Sequence, residues 1–252
     1  MQALEEQLFA LFLQFCRIGG CLLFAPGFSS ARVPMQIRLF AAMALTAALA
    51  PLLQEEMVKA LARVPRDQHV YMILSELLIG SAIGLMARFF FLALQFAATA
   101  ISNFIGLAGI PGVPLEEGDT GSPLATLVSS AAIMLVFAMG LHIELLIAIL
   151  DSYRVLDPAA PLALQALTVN MVDVVSETSA LALRLSAPFL IYGVIVNFAL
   201  GMGNRFALHL SVYHATTGVV ILGGFLLLYA IWVDWILLFT NSYQSWLIRG
   251  GF

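Results

Sequence analysis

Six long apolar stretches separated by short polar connectors constrain this chain more than any other feature. They cover approximately residues 8–24, 39–53, 70–101, 124–150, 174–202 and 212–239. A helix needs about 20 mainly apolar residues to cross the hydrocarbon core of a bilayer. Helices satisfy their own backbone hydrogen bonds in lipid, and the chain lacks the period-two pattern of a barrel. We therefore predict an all-α, membrane-type protein of helical hairpins with about six long apolar helices.

The composition agrees with this prediction and excludes several classes of protein. Of the 252 residues, 62% are hydrophobic and 10% are charged, whereas about a quarter of the residues in a soluble domain are charged. We read residues 1–252 as a single membrane subunit and not as a soluble enzyme. The net charge of -4 provides no basic surface for phosphates, so we expect no nucleic acid partner.

Two connectors have compositions that predict structure of their own. The connector after the fourth apolar stretch contains Asp157-Pro158, a helix cap followed by a residue suited to a first turn, which predicts a short amphipathic helix. The connector 103–122 is rich in Gly and Pro, and its residues 105–115 carry no charge. Such an apolar loop needs shelter, as in a cavity or pore. A loop lying at the membrane interface is the open alternative.

Several ionisable residues lie inside the apolar stretches, where charge is costly and usually faces protein or a water-filled cavity. They are Arg17, Glu76, Arg88, Glu144, Arg184 and Asp234. Glu76 and Arg88 are twelve residues apart, about 18 Å along a helix, and cannot pair with each other. Other helices or other subunits must supply their partners.

Small residues at helical spacing predict two close-packing faces. The first face repeats every four residues and consists of Glu76, Gly80, Gly84 and Arg88. The second consists of Gly193, Asn197, Gly201 and Asn204, followed by Arg205. We assign both faces to helix packing and assembly, together with Arg17. Spacing alone does not separate packing within the chain from packing against another subunit.

Catalytic and metal-binding signals are weak throughout the sequence. The sequence contains no phosphate-binding glycine loop and no nucleophile elbow. Asp119-Thr120-Gly121 matches the short signature of aspartic proteases, but no second carboxylate accompanies it on a β-rich scaffold. Cys16 and Cys21 lack the spacing of a zinc site. We predict no enzymatic activity, no metal and no cofactor, and an intramembrane protease is a minor alternative.

Several ordered motifs resemble one bacterial family over most of the chain. They are Arg17-x-x-Gly20, Pro26-x-Phe28, Val33-Pro34, Arg38, the run from Pro188 to Asn204-Arg205, and Gly223-Gly224. This order is similar to that in the FliR/SctT family of the type III secretion export apparatus. The resemblance implies a non-enzymatic export-gate subunit in the inner membrane at the flagellar basal body. It also implies FliP-like and FliQ-like partners, FlhB and FlhA as neighbours, and passage of unfolded flagellar proteins.

The same resemblance implies that the connector 103–122 plugs the closed pore. The plug residues would be Gly106, Gly109, Ile110, Pro111, Gly112, Val113, Pro114 and Leu115. The family's hairpins are also understood to form a partly extramembrane stack. A multi-pass small-molecule transporter is the competing hypothesis, although such proteins often contain two related halves and we find no internal repeat. The chain departs from the family at Leu115-Glu116 and at 213–217, so the detailed plug contacts stay open.

Overall fold

Long helices dominate the computed structural model, which describes residues 2–29, 33–107, 122–206 and 212–250. Within these ranges the chain forms seven α-helices and no β-strand. The helices are α1 (Gln2–Phe24), α2 (Met35–Arg63), α3 (His69–Phe104), α4 (Pro123–Ala138), α5 (Leu141–Val155), α6 (Leu164–Phe206) and α7 (Val212–Ile248). A 3-10 turn, Arg66–Gln68, precedes α3. The predicted all-α, membrane-type fold is confirmed.

Five of these helices are long and apolar enough to cross a membrane, namely α1, α2, α3, α6 and α7. The helix that contains the second apolar stretch is longer than the stretch itself. It continues through residues 54–63, which we had assigned to a connector. That segment contains Gln, Glu, Lys and Ala, which favour helix despite their polarity. Hydropathy therefore identified the apolar part of the helix but missed its polar end.

The fourth apolar stretch folds as two helices and not as one span. Helices α4 and α5 meet at an angle of 71°. Gly140 lies between them with φ 73° and ψ 9°, a left-handed conformation that glycine adopts without the steric cost of a Cβ. The pair counts as a sixth candidate span only when it is treated as one broken element.

The short amphipathic helix predicted after Asp157 does not form a separate element. The Asp157 carboxylate accepts a hydrogen bond from the Ala159 backbone N–H at 3.0 Å, which closes a turn. The helix begins only at Leu164 and continues without interruption to Phe206 as α6. Residues 164–174 contain neither Gly nor Pro, so no residue there favours a break between a short helix and the following apolar one.

The described chain divides into two compact units. The first contains residues 1–89, 136–176 and 243–252, and the second contains residues 90–135 and 177–242. In the first unit α1 packs against α2, and its largest fully buried side chains include Trp246, Arg17 and Tyr243. In the second unit Phe90, Phe189 and Phe239 are completely buried.

The helices differ greatly in how much of their apolar surface the chain itself covers. In the most apolar 18-residue stretch of α3, 61% of the residues are buried, compared with 22% in α6 and 17% in α7. Large side chains such as Phe198 and Tyr229 are 70% and 84% exposed. Most of the apolar surface of α6 and α7 therefore depends on lipid or other protein for burial.

Candidate functional site: a buried ion pair and close helix contacts

A completely buried ion pair joins α1 to α3 in the first unit. Arg17 Nε donates to Glu76 Oε2 at 2.6 Å, and Arg17 Nη2 donates to Glu76 Oε1 at 2.7 Å. Both side chains have no exposed surface. The two parallel bonds match the planar fork of a guanidinium to a carboxylate, which is the strongest geometry for such a pair. Glu76, one of the ionisable residues predicted to need a partner from another helix, therefore finds one within the chain.

The remaining donors of Arg17 bind the end of α5. Arg17 Nη1 donates to Ser152 Oγ at 3.0 Å, and Nη2 donates to the Leu156 carbonyl at 3.3 Å. The guanidinium carbon lies 3.9 Å from the centre of the Tyr153 ring, within the range of a cation–π contact. A single guanidinium thus connects α1, α3 and the C-terminal end of α5.

Glycines place the backbones of α1 and α3 in direct contact beside this ion pair. A Cβ on Gly80 would overlap the Arg17 carbonyl, and a Cβ on Gly84 would overlap the Cys21 carbonyl. From the opposite helix, a Cβ on Gly20 would lie 2.8 Å from the Leu77 carbonyl oxygen. Only residues without a side chain permit backbones to approach this closely. The contacts of Gly80 and Gly84 therefore lie inside the chain.

The second small-residue face does not behave as one surface. Gly193 packs within the second unit, where an added Cβ would lie 2.9 Å from Cδ1 of Phe104. Asn197 is exposed, and its side-chain amide donates to the Gly193 carbonyl at 2.8 Å. Gly201 has no atom within 4 Å of an added Cβ. Arg205 is exposed. Asn204 lies in α6, but its side chain is outside the described part.

A further close contact in the second unit joins the end of α3 to α7. A Cβ on Gly224 would overlap the side chain of Ile105, which is completely buried. A Cβ on the preceding Gly223 would lie 2.6 Å from the Tyr192 hydroxyl oxygen. That hydroxyl donates to the Val220 carbonyl at 2.6 Å. These residues were not predicted to pack closely, although two adjacent glycines inside an apolar helix indicate a close helix contact.

The other ionisable residues of the apolar stretches have no ion-pair partner in the described ranges. Arg88 and Glu144 are half-buried, whereas Arg184 and Asp234 are exposed. Four ion pairs occur between described side chains, and none involves these residues. Unlike Arg17 and Glu76, these four side chains therefore have no oppositely charged partner among the described residues.

The predicted plug lies mostly outside the described residues. Asn103 and Phe104 complete α3, and Gly106 follows with φ 81°. This left-handed glycine ends the helix, as is common just beyond a helix terminus. The other predicted plug residues, from Gly109 to Leu115, fall in the undescribed segment 108–121.

No group of three or more His, Cys, Asp or Glu side chains in the described ranges is arranged to hold a metal ion. Cys16 and Cys21 are buried and not joined by a disulfide. The site therefore consists of a buried ion pair and close backbone contacts that join helices.

Comparison with known proteins identifies the family. The sequence model of a family described as "Bacterial export proteins, family 1" matches residues 8–246. The chain belongs to this family. The match covers almost the entire sequence, including the ion pair, both glycine faces and the segment 103–122.

Two curated members with similar sequences are both called "Flagellar biosynthetic protein FliR". The protein of Caulobacter vibrioides is 26% identical over 225 residues, which cover 88% of this chain and 88% of that protein. The protein of Escherichia coli K12 is 26% identical over 193 residues, which cover 75% of this chain and 71% of that protein. The resemblance inferred from the motifs is thus confirmed. As a bacterial export protein with several membrane-length helices, the chain is a multi-pass protein of the inner membrane.

Proposed function

We propose that this bacterial export protein is a core subunit of the flagellar type III export gate. In this role it helps to form and seal the channel through which unfolded flagellar proteins leave the cytoplasm, and it performs no catalysis. The family match over residues 8–246 carries the proposal. The names of the two FliR relatives support the flagellar assignment over a virulence secretion system.

The exposed apolar surface of α6 and α7 supports a role in an assembly. Only 22% and 17% of their most apolar stretches are buried by the chain itself. FliP-like and FliQ-like subunits would cover part of this surface, and membrane lipid would cover the rest. FlhB and FlhA would lie beside the assembled core.

The packing residues divide between the fold of the subunit and its assembly. Arg17, Glu76, Gly80 and Gly84 make their contacts inside the chain, so we propose that they hold the subunit in the shape that its neighbours recognise. Gly193 acts in the same way within the second unit. The residues available for contact with neighbours are Arg88, Asn197, Gly201 and Arg205. The assembly role of Asn204 stays a prediction from the sequence.

The segment between α3 and α4 supports the sealing role. It begins at Gly106 and includes Ile110, Val113 and Leu115, whose apolar side chains would exclude water from a closed channel. We propose that Gly106 to Leu115 plug the pore, and that displacement of this segment opens the passage.

Purification from native membranes in mild detergent tests the assembly. If the proposal is correct, FliP-like and FliQ-like subunits co-purify with the tagged chain. A chain that purifies alone and transports a small solute in vesicles would instead support the transporter hypothesis.

Deletion of residues 106–118 tests the plug separately. The assembly should still form, because the contacts between α1 and α3 do not involve this segment. Cells that carry the deletion variant should nevertheless leak ions and small solutes. Ion-sensitive growth and membrane-potential dyes measure the leak. The chain offers no comparable loop in which to make a control deletion of the same length. The matched control is therefore a full-length variant in which the sequence from Gly106 to Gly118 is scrambled. An intact permeability barrier after the deletion would contradict the plug.

A further inference from the structure

Arg184 on α6 and Asp234 on α7 are charged side chains without a partner among the residues that the structure describes. Both are exposed, and neither forms an ion pair or hydrogen bond with any described residue. Arg184 lies about 20 residues from either end of Leu164–Phe206, or about 30 Å at 1.5 Å per residue. Asp234 lies well inside Val212–Ile248. Neither side chain can reach the ends of its helix, so each needs a polar partner beside it.

Two hydrogen bonds fix how α6 and α7 lie against each other around these charges. Trp235 Nε1 donates to the Leu185 carbonyl at 3.0 Å, and the Tyr192 hydroxyl donates to the Val220 carbonyl. Residue numbers rise along α6 as they fall along α7, so the two helices are antiparallel. Leu185 and Trp235 are both buried between them.

The charged residues immediately precede these two contact residues, which determines where they point. Each step back along a helix rotates the side chain by about 100°. In an antiparallel pair these rotations have opposite senses when viewed from one end, so both steps lead to the same side of the pair. Arg184 and Asp234 therefore share one face at one level, consistent with their exposure.

The surroundings of the two charges are apolar. Ile191, two turns after Arg184 on α6, is 59% exposed, and Leu237, one turn after Asp234 on α7, is 47% exposed. A surface of this kind is unfavourable in lipid because of its charges and unfavourable in water because of its apolar side chains. A protein surface with apolar side chains and opposite charges at matching positions would bury the apolar side chains and pair the charges.

We propose that this face of α6 and α7 is the docking site for an apolar helix of another membrane subunit. That helix carries an acidic group opposite Arg184 and a basic group opposite Asp234. Charge complementarity at one level would set the register of the two subunits and reject partners with the wrong sign. The inference rests on the proposed function to the extent that an export-gate subunit has membrane neighbours.

Leucine substitutions distinguish a protein partner from lipid. If the face meets lipid, R184L/D234L removes two unfavourable charges, and the chain accumulates and co-purifies with its membrane neighbours as well as the wild type. If it meets the proposed helix, the partner's charges are left buried and unpaired. Co-purification of the neighbours should then fall by about tenfold or more, as for other truncated buried charge pairs. E55L/K59L is the matched control, since it removes one exposed acid and one exposed base from the polar end of α2 and should leave co-purification unchanged.

A charge exchange separates an external partner from pairing between the two residues themselves. If Arg184 and Asp234 only pair with each other in the membrane, R184D/D234R restores normal assembly and our proposal is wrong. If each faces an external group, the exchange stays defective. A photo-crosslinking residue placed at Leu237, one turn from Asp234, identifies the partner helix. Reversing the two partner charges in R184D/D234R should then restore assembly.

Co-purification with the wild-type chain separates failure of the docking site from failure of the export-gate role. Failure of FliP-like and FliQ-like subunits to co-purify with the wild-type chain would refute the export-gate role itself. Normal co-purification of both the wild type and R184L/D234L, or a crosslink from Leu237 to lipid alone, would overturn only the docking site.

Discussion

Replacing Glu76 with glutamine removes the charge that neutralises Arg17 while preserving the size of the side chain. The Arg17 guanidinium is completely buried, so water cannot take the place of the carboxylate. Ser152 Oγ and the Leu156 carbonyl would stay within hydrogen-bond distance, but both are neutral. The variant therefore keeps a buried cation and loses its anion.

The cost of E76Q follows from this burial. Removing one partner of a buried ion pair typically destabilises a protein by about 3–5 kcal/mol. Replacing both partners with apolar residues costs less, because no uncompensated charge is left in the interior. R17L/E76L should therefore be more stable than E76Q. The difference between these two variants measures the penalty of the lone charge.

Equilibrium unfolding in mixed detergent micelles, followed by circular dichroism during titration with sodium dodecyl sulfate, would measure these free energies. The control is E55Q, which removes the exposed pair between Lys59 and Glu55 on α2 and should leave the transition unchanged, because exposed pairs contribute little. An E76Q transition within about 1 kcal/mol of the wild type would refute the importance of the buried pair.

Two further substitutions test the backbone contacts. G80A should reduce the amount of folded subunit in the membrane, since its Cβ would overlap the Arg17 carbonyl, whereas G218A on α7 has open space and should have no effect. Protease resistance of the membrane-inserted chain compares the two variants, and equal resistance would contradict the contact. G140V should destabilise the chain by about 1–2 kcal/mol because of its left-handed backbone, whereas G140N should cost less because Asn tolerates this conformation; equal unfolding transitions for both would show that strain at Gly140 does not matter.

Helix content was predictable because the apolar stretches are longer than ordinary β-strands and lack the alternation of a half-buried strand. The polar end of α2 and the break at Gly140 were not, for different reasons. Residues 54–63 are polar but helix-favouring, so hydropathy placed the boundary too early. A single glycine inside an apolar helix is common, and nothing local shows that Gly140 adopts a positive φ.

The packing sites were predictable in part. The four-residue spacing of Gly80 and Gly84 correctly marked a face that permits close backbone contact, and the positions of Arg17 and Glu76 inside apolar stretches marked charges that need partners. Their pairing was not predictable, because 59 residues separate them and sequence spacing carries no information on contacts at that range. Ser152 lies 135 residues from Arg17, and an ordinary serine gives no signal of its role.

The distance along the chain between Arg17 and its partners also has a consequence in time. Chains are synthesised at about 5–20 residues per second, so Glu76 follows Arg17 by about 3–12 seconds. Ser152 follows Arg17 by about 7–27 seconds. During that interval α1 has emerged with a cation that the Glu76 carboxylate of α3 does not yet neutralise. Arg17 therefore carries an unpaired charge in the nascent first helix until its acidic partner has been made.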